Sequence, residues 1–178
     1  MDSGVIPVRY AKALLKCSAG QGCEDQVYRD MQALADSYAS HPGLRKAVDN
    51  PMAQPAQRQS LLEAACGGDP APATKDFIAL VAGEGRVQHL QLMATAFLTL
   101  YRKGKNIVRG RLTTAAPVAP EVEAKMKKAV ERRTGATVEF ETQTDPSLIG
   151  GFILEYDTYR MDASVKAKLR RVAGELAK

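Results

Sequence analysis

The sequence is poor in the residues that build metal sites and disulfide frameworks. Its 178 residues include three cysteines and two histidines, and no two cysteines have the CxxC spacing of zinc or redox motifs. His41 and His89 lie far from the cysteines along the chain. Neither a metal site nor a disulfide framework is therefore expected. Cys17 and Cys66 fall at apolar helical positions, and we expect both to be buried, reduced thiols.

Long hydrophobic runs are also missing. The best run, residues 77–82, is followed by Gly83 and Glu84 and is far shorter than the ~18 residues of a membrane-spanning helix. Residues 1–8 carry Asp2 and no basic, apolar leader, so we expect neither a secretory signal nor a transit peptide. The expected product is cytoplasmic.

The motifs of nucleotide-binding and catalytic sites are absent as well. The chain contains no GxxxxGK[ST] or GxGxxG string, so Gly150 and Gly151 are interpreted as a turn that enters a strand. Three aspartates lie beside turns or helix starts, where this residue is favoured for local hydrogen bonding: Asp145, Asp157 and Asp162. The sequence therefore predicts a protein that is not an enzyme and that holds no cofactor or metal.

What is present is the composition of a folded, globular chain. Hydrophobic residues make up 45% and charged residues 25%, and the length suits one ordinary domain or two small ones. Residues 1–104 carry 11 basic and 10 acidic side chains, whereas residues 105–178 carry 14 and 10. Most of the net positive charge therefore lies in the second part of the chain.

Residues 1–104 show helical periodicity in six segments with short breaks. The first segment follows Pro7 and ends at Gly20 and Gly22. The sixth segment carries an apolar stripe that consists of Val87, Leu90, Ala94, Phe97, Leu98 and Tyr101. Six helices joined by short loops predict a mainly α protein with an N-terminal six-helix bundle over residues 1–104.

After residue 104 the periodicity changes. Strands are predicted at residues 107–116, 137–142, 152–156 and 159–161, with a tight turn at Asp157 and Thr158. A helix is predicted from Pro120 to Gly135. A last helix carries a stripe with 4, 3, 4 spacing, formed by Val165, Leu169, Val172 and Leu176. Residues 105–178 are therefore predicted to form a small α+β domain, whose core would be marginal by itself.

Two helices of the predicted bundle carry more apolar surface than one buried face requires. Helix one has the stripe Tyr10, Ala13, Leu14 and Cys17 and also Ala11 and Leu15; helix five has Phe77, Leu80 and Val81 and also Ile78 and Ala82. Two apolar faces indicate either central burial or a second contact with a partner. The pattern leaves both interpretations open.

Basic residues cluster in the two helices of the α+β domain. They are Lys125, Lys127, Lys128, Arg132 and Arg133, followed by Lys166, Lys168, Arg170 and Arg171. Such a patch could follow a phosphate backbone, but glutamates are interspersed and no aromatic-rich strand offers a stacking platform. A solvated face is favoured, and the alternatives are an electrostatic contact with a partner protein and a basic α+β nucleic-acid-binding protein.

Several stretches, in order and over nearly the whole chain, resemble the ATP synthase delta family, which includes the oligomycin-sensitivity-conferring protein (OSCP). They are Arg9-Tyr10-Ala11-Lys12-Ala13-Leu14, then Glu84-Gly85-Arg86-Val87, then Asp145-Pro146-Ser147-Leu148-Ile149-Gly150-Gly151-Phe152, and finally Asp162-Ala163-Ser164. The third stretch is the most specific. Asp157 departs from the family, which usually has glycine or another small residue at that turn.

The resemblance implies a non-catalytic stator subunit of a proton-translocating rotary ATP synthase. The bundle would hold the N-terminal helix of an alpha subunit of the catalytic head, and the C-terminal domain would meet the b-type stalk. The implied alpha-binding groove comprises Tyr10, Ala13, Leu14, Cys17, Phe77, Leu80, Val81 and Glu84, and the implied stalk contacts are Lys166, Lys168, Arg170 and Arg171. The expected place is the cytoplasmic face of the bacterial inner membrane, with peripheral attachment through the complex and no nucleic-acid partner.

Overall fold

The computed structural model describes residues 5–50, 52–156 and 158–176. The chain divides into two compact units, Met1–Gly104 and Lys105–Lys178. The first is helical and the second combines helices with a sheet, which confirms the predicted fold class. None of the helices in the described ranges combines the length and the apolar character needed to cross a membrane.

The first unit contains the six predicted helices within its described residues. They are α1 (Val5–Gln21), α2 (Glu24–Ser40), α3 (Pro42–Val48), α4 (Pro55–Ala65), α5 (Pro72–Gly83) and α6 (Leu90–Lys105). A proline occupies the start of α3, α4 and α5, where its missing N–H costs no hydrogen bond. The sixth helix begins later than the sequence indicates, because Val87–His89 forms a separate 3-10 turn before it.

The apolar faces of α2 and α6 contribute many of the buried side chains of this unit. From α6, the buried side chains are Leu90, Met93, Ala94, Phe97, Leu98 and Tyr101. Met31 and Leu34 of α2 are fully buried, as is Phe97. Fully burying a side chain of this size contributes about 1.5–3 kcal/mol, so these faces supply much of the stability of the unit.

A buried carboxylate of α2 caps the start of α5. Oδ2 of Asp30 accepts hydrogen bonds from the backbone N–H of Ala71 at 2.8 Å and from the hydroxyl of Thr74 at 2.7 Å. Ala71 directly precedes α5, and the first amides of a helix have no acceptor within it. The contact therefore satisfies a buried charge and joins two helices that are distant in sequence.

An aromatic cluster joins the end of α6 to the beginning of α2. The rings of Tyr28 and Tyr101 stack with centroids 4.4 Å apart. The Tyr101 hydroxyl donates to Asp25 at 2.5 Å, and Nε of Arg102 donates to the Tyr28 hydroxyl at 2.9 Å. Burial, together with the hydrogen bond to Asp25, raises the pKa of Tyr101 well above its ordinary value. The last turn of α6 is thus held by hydrogen bonds as well as by packing.

The second unit has the predicted order of strands and helices. In its described part they are β1 (Ile107–Thr114), α7 (Pro120–Thr134), β2 (Thr137–Thr144), a 3-10 turn (Pro146–Leu148), β3 (Phe152–Tyr156), β4 (Tyr159–Asp162) and α8 (Val165–Leu176). The sheet order is β2-β1-β3-β4. The pair β1–β2 is parallel and the other two pairs are antiparallel. Asp157, at the predicted turn between β3 and β4, lies outside the described residues.

Helix α7 covers one face of this sheet. The buried cluster consists of Leu112, Val130, Val138, Leu154 and Tyr156, with Met126 packed against it. The helix ends at Thr134, and the left-handed backbone of the following Gly135 (φ +66°) lets its N–H bond to the carbonyl of Glu131 at 2.8 Å. Glycine adopts this conformation without steric cost, as the predicted stop required.

Candidate partner-binding surfaces

A hydrogen-bonded tyrosine lies between α1 and α5. The Tyr10 ring meets the Phe77 ring edge to face, with centroids 6.4 Å apart. The Arg86 guanidinium lies over the Tyr10 ring, 5.6 Å from its centroid, and also donates a hydrogen bond to the Tyr10 hydroxyl. Arg86 also lies 3.8 Å from the Glu84 carboxylate. Tyr10 is therefore held by contacts with both an aromatic ring and a cation.

Arg86 reaches this place because of how α5 ends. The N–H of Arg86 bonds to the carbonyl of Val81 at 3.0 Å, and the N–H of Gly85 bonds to the carbonyl of Ala82 at 3.1 Å. These two bonds form a Schellman motif, in which the residue after the helix adopts a left-handed conformation; Gly85 has φ +65°. The motif turns the chain back, so two of the family-like stretches, around Tyr10 and around Arg86, come into direct contact.

The predicted groove residues divide into buried and accessible members. Leu14, Phe77 and Val81 are buried within the first unit. Tyr10 is partly buried, whereas Ala13, Cys17 and Glu84 are exposed and Leu80 is 54% exposed.

The two predicted stripes therefore do not form two uniform faces. In α1 the buried positions are Pro7, Ala11, Leu14 and Ser18, because 3.6 residues per turn place Ala13 and Cys17 on the flank of that face. The predicted groove residues that remain accessible are Tyr10, Ala13 and Cys17 on this flank, Leu80 of α5, and Glu84 directly after α5.

The two cysteines predicted to be buried have different environments. Cys66 is buried, as expected, and burial raises the pKa of its thiol to about 12, so it stays protonated at neutral pH. Cys17 is exposed, so the prediction of its burial was wrong. The sequence shows an apolar helical position but cannot show that the core contacts of α1 turn away from it.

The last helix presents an apolar stripe that its own unit leaves uncovered. Val165, Leu169 and Val172 are 37%, 54% and 51% exposed. The start of α8 is fixed, since the Ser164 hydroxyl accepts from the N–H of Ala167 at 3.1 Å in the N-cap geometry. Nζ of Lys166 lies 3.3 Å from the Ser147 hydroxyl. The predicted stalk-contact residues therefore lie on a helix with an open apolar face.

The uncovered face of the sheet carries paired charges. Arg109 lies 3.1 Å from the Glu141 carboxylate and Arg111 lies 3.9 Å from it, while Arg160 lies 3.3 Å from Glu155. Carboxylates thus pair with these cations. The basic residues on which the nucleic-acid alternative depends lie instead on α7 and α8, so these ion pairs do not test it.

Asp145 and Asp162 have local structural roles in the second unit. Asp145 accepts from the N–H of Ser147 at 2.9 Å and from its hydroxyl at 3.1 Å, and these bonds lower the pKa of Asp145. Asp162 accepts from the N–H of Ser164 at 2.9 Å, and the hydrogen bonds from Ser164 lower its pKa too. No cluster of three or more potential metal ligands occurs among the residues that the structure covers.

A groove that the sequence did not reveal lies beside α7. It has a volume of about 390 Å³ and is lined mainly by apolar side chains that include Met126, Phe152 and Met161, with Arg133 and Arg160 also present. Its lining comes from α7, β3 and β4, so no single periodic stripe could have predicted it.

Comparison with known proteins agrees with this architecture. Residues 6–176 match the family model described as ATP synthase delta (OSCP) subunit. Proteins named ATP synthase subunit delta are 47% identical in Phocaeicola vulgatus, covering 97% of this chain and 94% of the relative, and 40% identical in Parabacteroides distasonis, covering 97% and 96%.

Among solved structures, a chain of the Toxoplasma gondii mitochondrial ATP synthase hexamer has the same fold. The TM-score is 0.66 at 22% identity, with 97% of each chain covered. The family model and the relatives extend over nearly the whole sequence, so both units are included in the match. The chain belongs to the ATP synthase delta (OSCP) subunit family.

Proposed function

We propose that the chain ties the catalytic head of a rotary ATP synthase to its peripheral stalk through one surface on each unit. As a member of the delta (OSCP) family it is a structural, non-catalytic subunit of the stator. The first unit binds the N-terminal helix of an alpha subunit, and the second binds the b-type stalk. The contribution to ATP synthesis is mechanical, because the head must be held still while the rotor turns.

The observation that carries the alpha-subunit contact is the exposed Leu80 on α5, the helix whose Phe77 contacts Tyr10 of α1. Leu80 is an accessible apolar side chain, and Tyr10 is fixed next to α5 by Phe77 and Arg86. A helix binds a groove through anchors at i, i+3, i+4 and i+7. Fixed side chains lose little conformational entropy on binding, which favours affinity.

The chemistry of the groove defines the helix that it accepts. Ala13 of α1 is small and exposed, so an incoming helix can approach the backbone closely. Glu84 keeps about half of its side chain exposed despite its contact with Arg86, so it can pair with a lysine or arginine of the partner. We therefore expect an amphipathic helix with large apolar anchors and a basic residue near one end.

The place of action follows from the assembly. We propose that the chain lies at the cytoplasmic face of the bacterial inner membrane and is held there only through its partner subunits.

Titration calorimetry of the full chain tests the proposal with two ligands from the same organism. One is a synthetic peptide of the alpha N-terminus, and the other is the soluble part of the b-type stalk subunit. Saturable binding of both is expected, with no heat from ATP at micromolar concentration. Failure to bind both protein ligands, or salt-sensitive binding of RNA in their place, would refute the tether.

A further inference from the structure

The exposed stripe of α8 has the spacing of a coiled-coil seam. Val165, Leu169 and Val172 follow one another at intervals of four and three residues, which corresponds to positions d, a and d of a heptad. All three are exposed. We infer that α8 docks a stalk helix in a coiled-coil manner, by burying this seam against an apolar heptad seam with acidic flanks. This inference rests on the stalk contact proposed above.

The flanking charges define the partner. In the same register Lys166 takes position e and Lys168 takes position g, the two positions that face the flanks of a docked helix. Within the described residues α8 carries four basic side chains, Lys166, Lys168, Arg170 and Arg171, against Glu175, which takes the second g position, so the positive flank lies in the first half of the helix. Two copies of α8 would repel each other, whereas glutamates at the facing positions of a stalk helix would pair with the lysines.

The start of α8 is anchored, so its seam has a defined orientation. The N–H of Val165 bonds to the carbonyl of Gly150 at 2.9 Å, and Ser164 is buried and caps the helix. Twelve residues at 1.5 Å each extend for about 18 Å, which is close to two heptads. The helix can therefore present its three seam residues, Val165, Leu169 and Val172, without rearrangement.

The width of the seam indicates whether its partner is a protein helix or a lipid surface. A helix that lies on a membrane has a broad apolar arc, usually with aromatic side chains and leucines. The described seam of α8 has two valines and one leucine in a narrow line, which is the form of a coiled-coil contact. A protein helix is therefore the occupant that the geometry favours.

Two matched substitutions on α8 test the inference in the full chain. Leu169→Gln changes the seam, whereas Arg171→Gln introduces the same residue at an exposed position away from it. With the soluble stalk subunit as the probe, we expect Leu169→Gln to lower the affinity at least about tenfold and Arg171→Gln to change it by less than about twofold. Both variants should keep the wild-type thermal midpoint, because neither side chain is buried.

Charge reversal tests the flanks. Lys168→Glu should weaken stalk binding by about tenfold and should reduce its dependence on salt, because an attractive pair becomes a repulsive one. A designed helix about three heptads long, with leucine at a and d and glutamate at e and g, should bind the wild-type chain. The same peptide with lysine at e and g should not bind.

Several outcomes would overturn the seam while leaving the tether intact. The first is that Leu169→Gln leaves stalk binding unaffected, and the second is that Met161→Gln, in the groove beside α7, abolishes stalk binding instead. The third is that the wild-type chain binds anionic vesicles in a way that depends on the seam, whereas its binding to the stalk does not. Concentration-dependent dimers that Leu169→Gln abolishes would assign the seam to a second copy. Absence of wild-type binding to the stalk subunit would instead contradict the proposed function itself.

Discussion

Substitutions at two adjacent residues of α5 should distinguish an effect on partner binding from an effect on folding. Leu80 is 54% exposed, whereas Val81 is fully buried, although both are aliphatic and lie on the same helix. If the alpha-subunit helix covers Leu80, Leu80→Ala should weaken binding and leave the fold unchanged. Val81→Ala should instead lower the stability of the fold and have little direct effect on binding.

The magnitudes follow from the exposed fractions. Complete burial of a leucine contributes about 1.5–3 kcal/mol, and the partner can bury only the 54% that the unit leaves open. The loss on truncation is then about 0.8–1.6 kcal/mol of binding free energy, or roughly a 4- to 15-fold lower affinity. Val81→Ala removes two buried methyl groups and leaves a cavity, which should cost about 2 kcal/mol of stability.

Two measurements on the full chain decide the matter. Fluorescence anisotropy of a labelled alpha N-terminal peptide gives the affinity, and urea denaturation followed by helical circular dichroism gives the stability. Leu80→Ala should change the free energy of unfolding by less than about 1 kcal/mol. The reasoning fails if Leu80→Ala binds the peptide with wild-type affinity, or if it loses as much stability as Val81→Ala.

Four further predictions concern the two units separately. Asp30→Ala should destabilise the first unit by about 2 kcal/mol in urea, because it leaves the amide of Ala71 and the hydroxyl of Thr74 without their buried acceptor. Because the pKa of Tyr101 is raised in the folded chain, the unfolded chain loses the hydroxyl proton at lower pH than the folded chain does. The thermal midpoint should therefore fall as the pH rises above about 10, and Tyr101→Phe should make that fall smaller. Gly151→Ala should destabilise the second unit by roughly 2 kcal/mol or more in urea, since φ of Gly151 is +77° and the new Cβ would lie 2.3 Å from the Ala163 carbonyl oxygen. As a control, Gly174→Ala should be tolerated, because its new Cβ would meet nothing within 4 Å. Residues 1–104 expressed alone should show helical circular dichroism, and limited proteolysis of the full chain should cleave first at residues 103–106.

Much of the fold could be predicted because local signals and packing agree. Proline begins α7 and left-handed Gly135 follows its end, and both residues act through backbone geometry that does not depend on the rest of the chain. The apolar stripe of α6 is the buried face observed. The exception is Val87, which shares that stripe but belongs to the 3-10 turn. Periodicity shows which side chains are buried, but it does not show which carbonyl accepts each N–H, and that pattern distinguishes a 3-10 turn from an α-helix.

The candidate site could be predicted only in outline. Periodicity and the family resemblance selected α1 and α5, but they could not separate Leu80 from Val81, because one residue of rotation decides which side chain is buried. Arg86 was missed as a contact of Tyr10, since the two are distant in sequence and meet only through the Schellman motif after α5. The one available signal was that both lie in family-like stretches.

Each unit therefore buries one apolar face and leaves another uncovered, with Leu80 in the first and Leu169 in the second. A monomer with no partner gains no stability from exposed leucines at the flank of a helix or along a heptad seam. A tether requires both, because its two contacts must hold at the same time. When one contact has formed, the other becomes an intramolecular event at high effective concentration. In the proposed tether the two contacts act in series, so each must withstand the full torque, and loss of either one would release the head from the stalk.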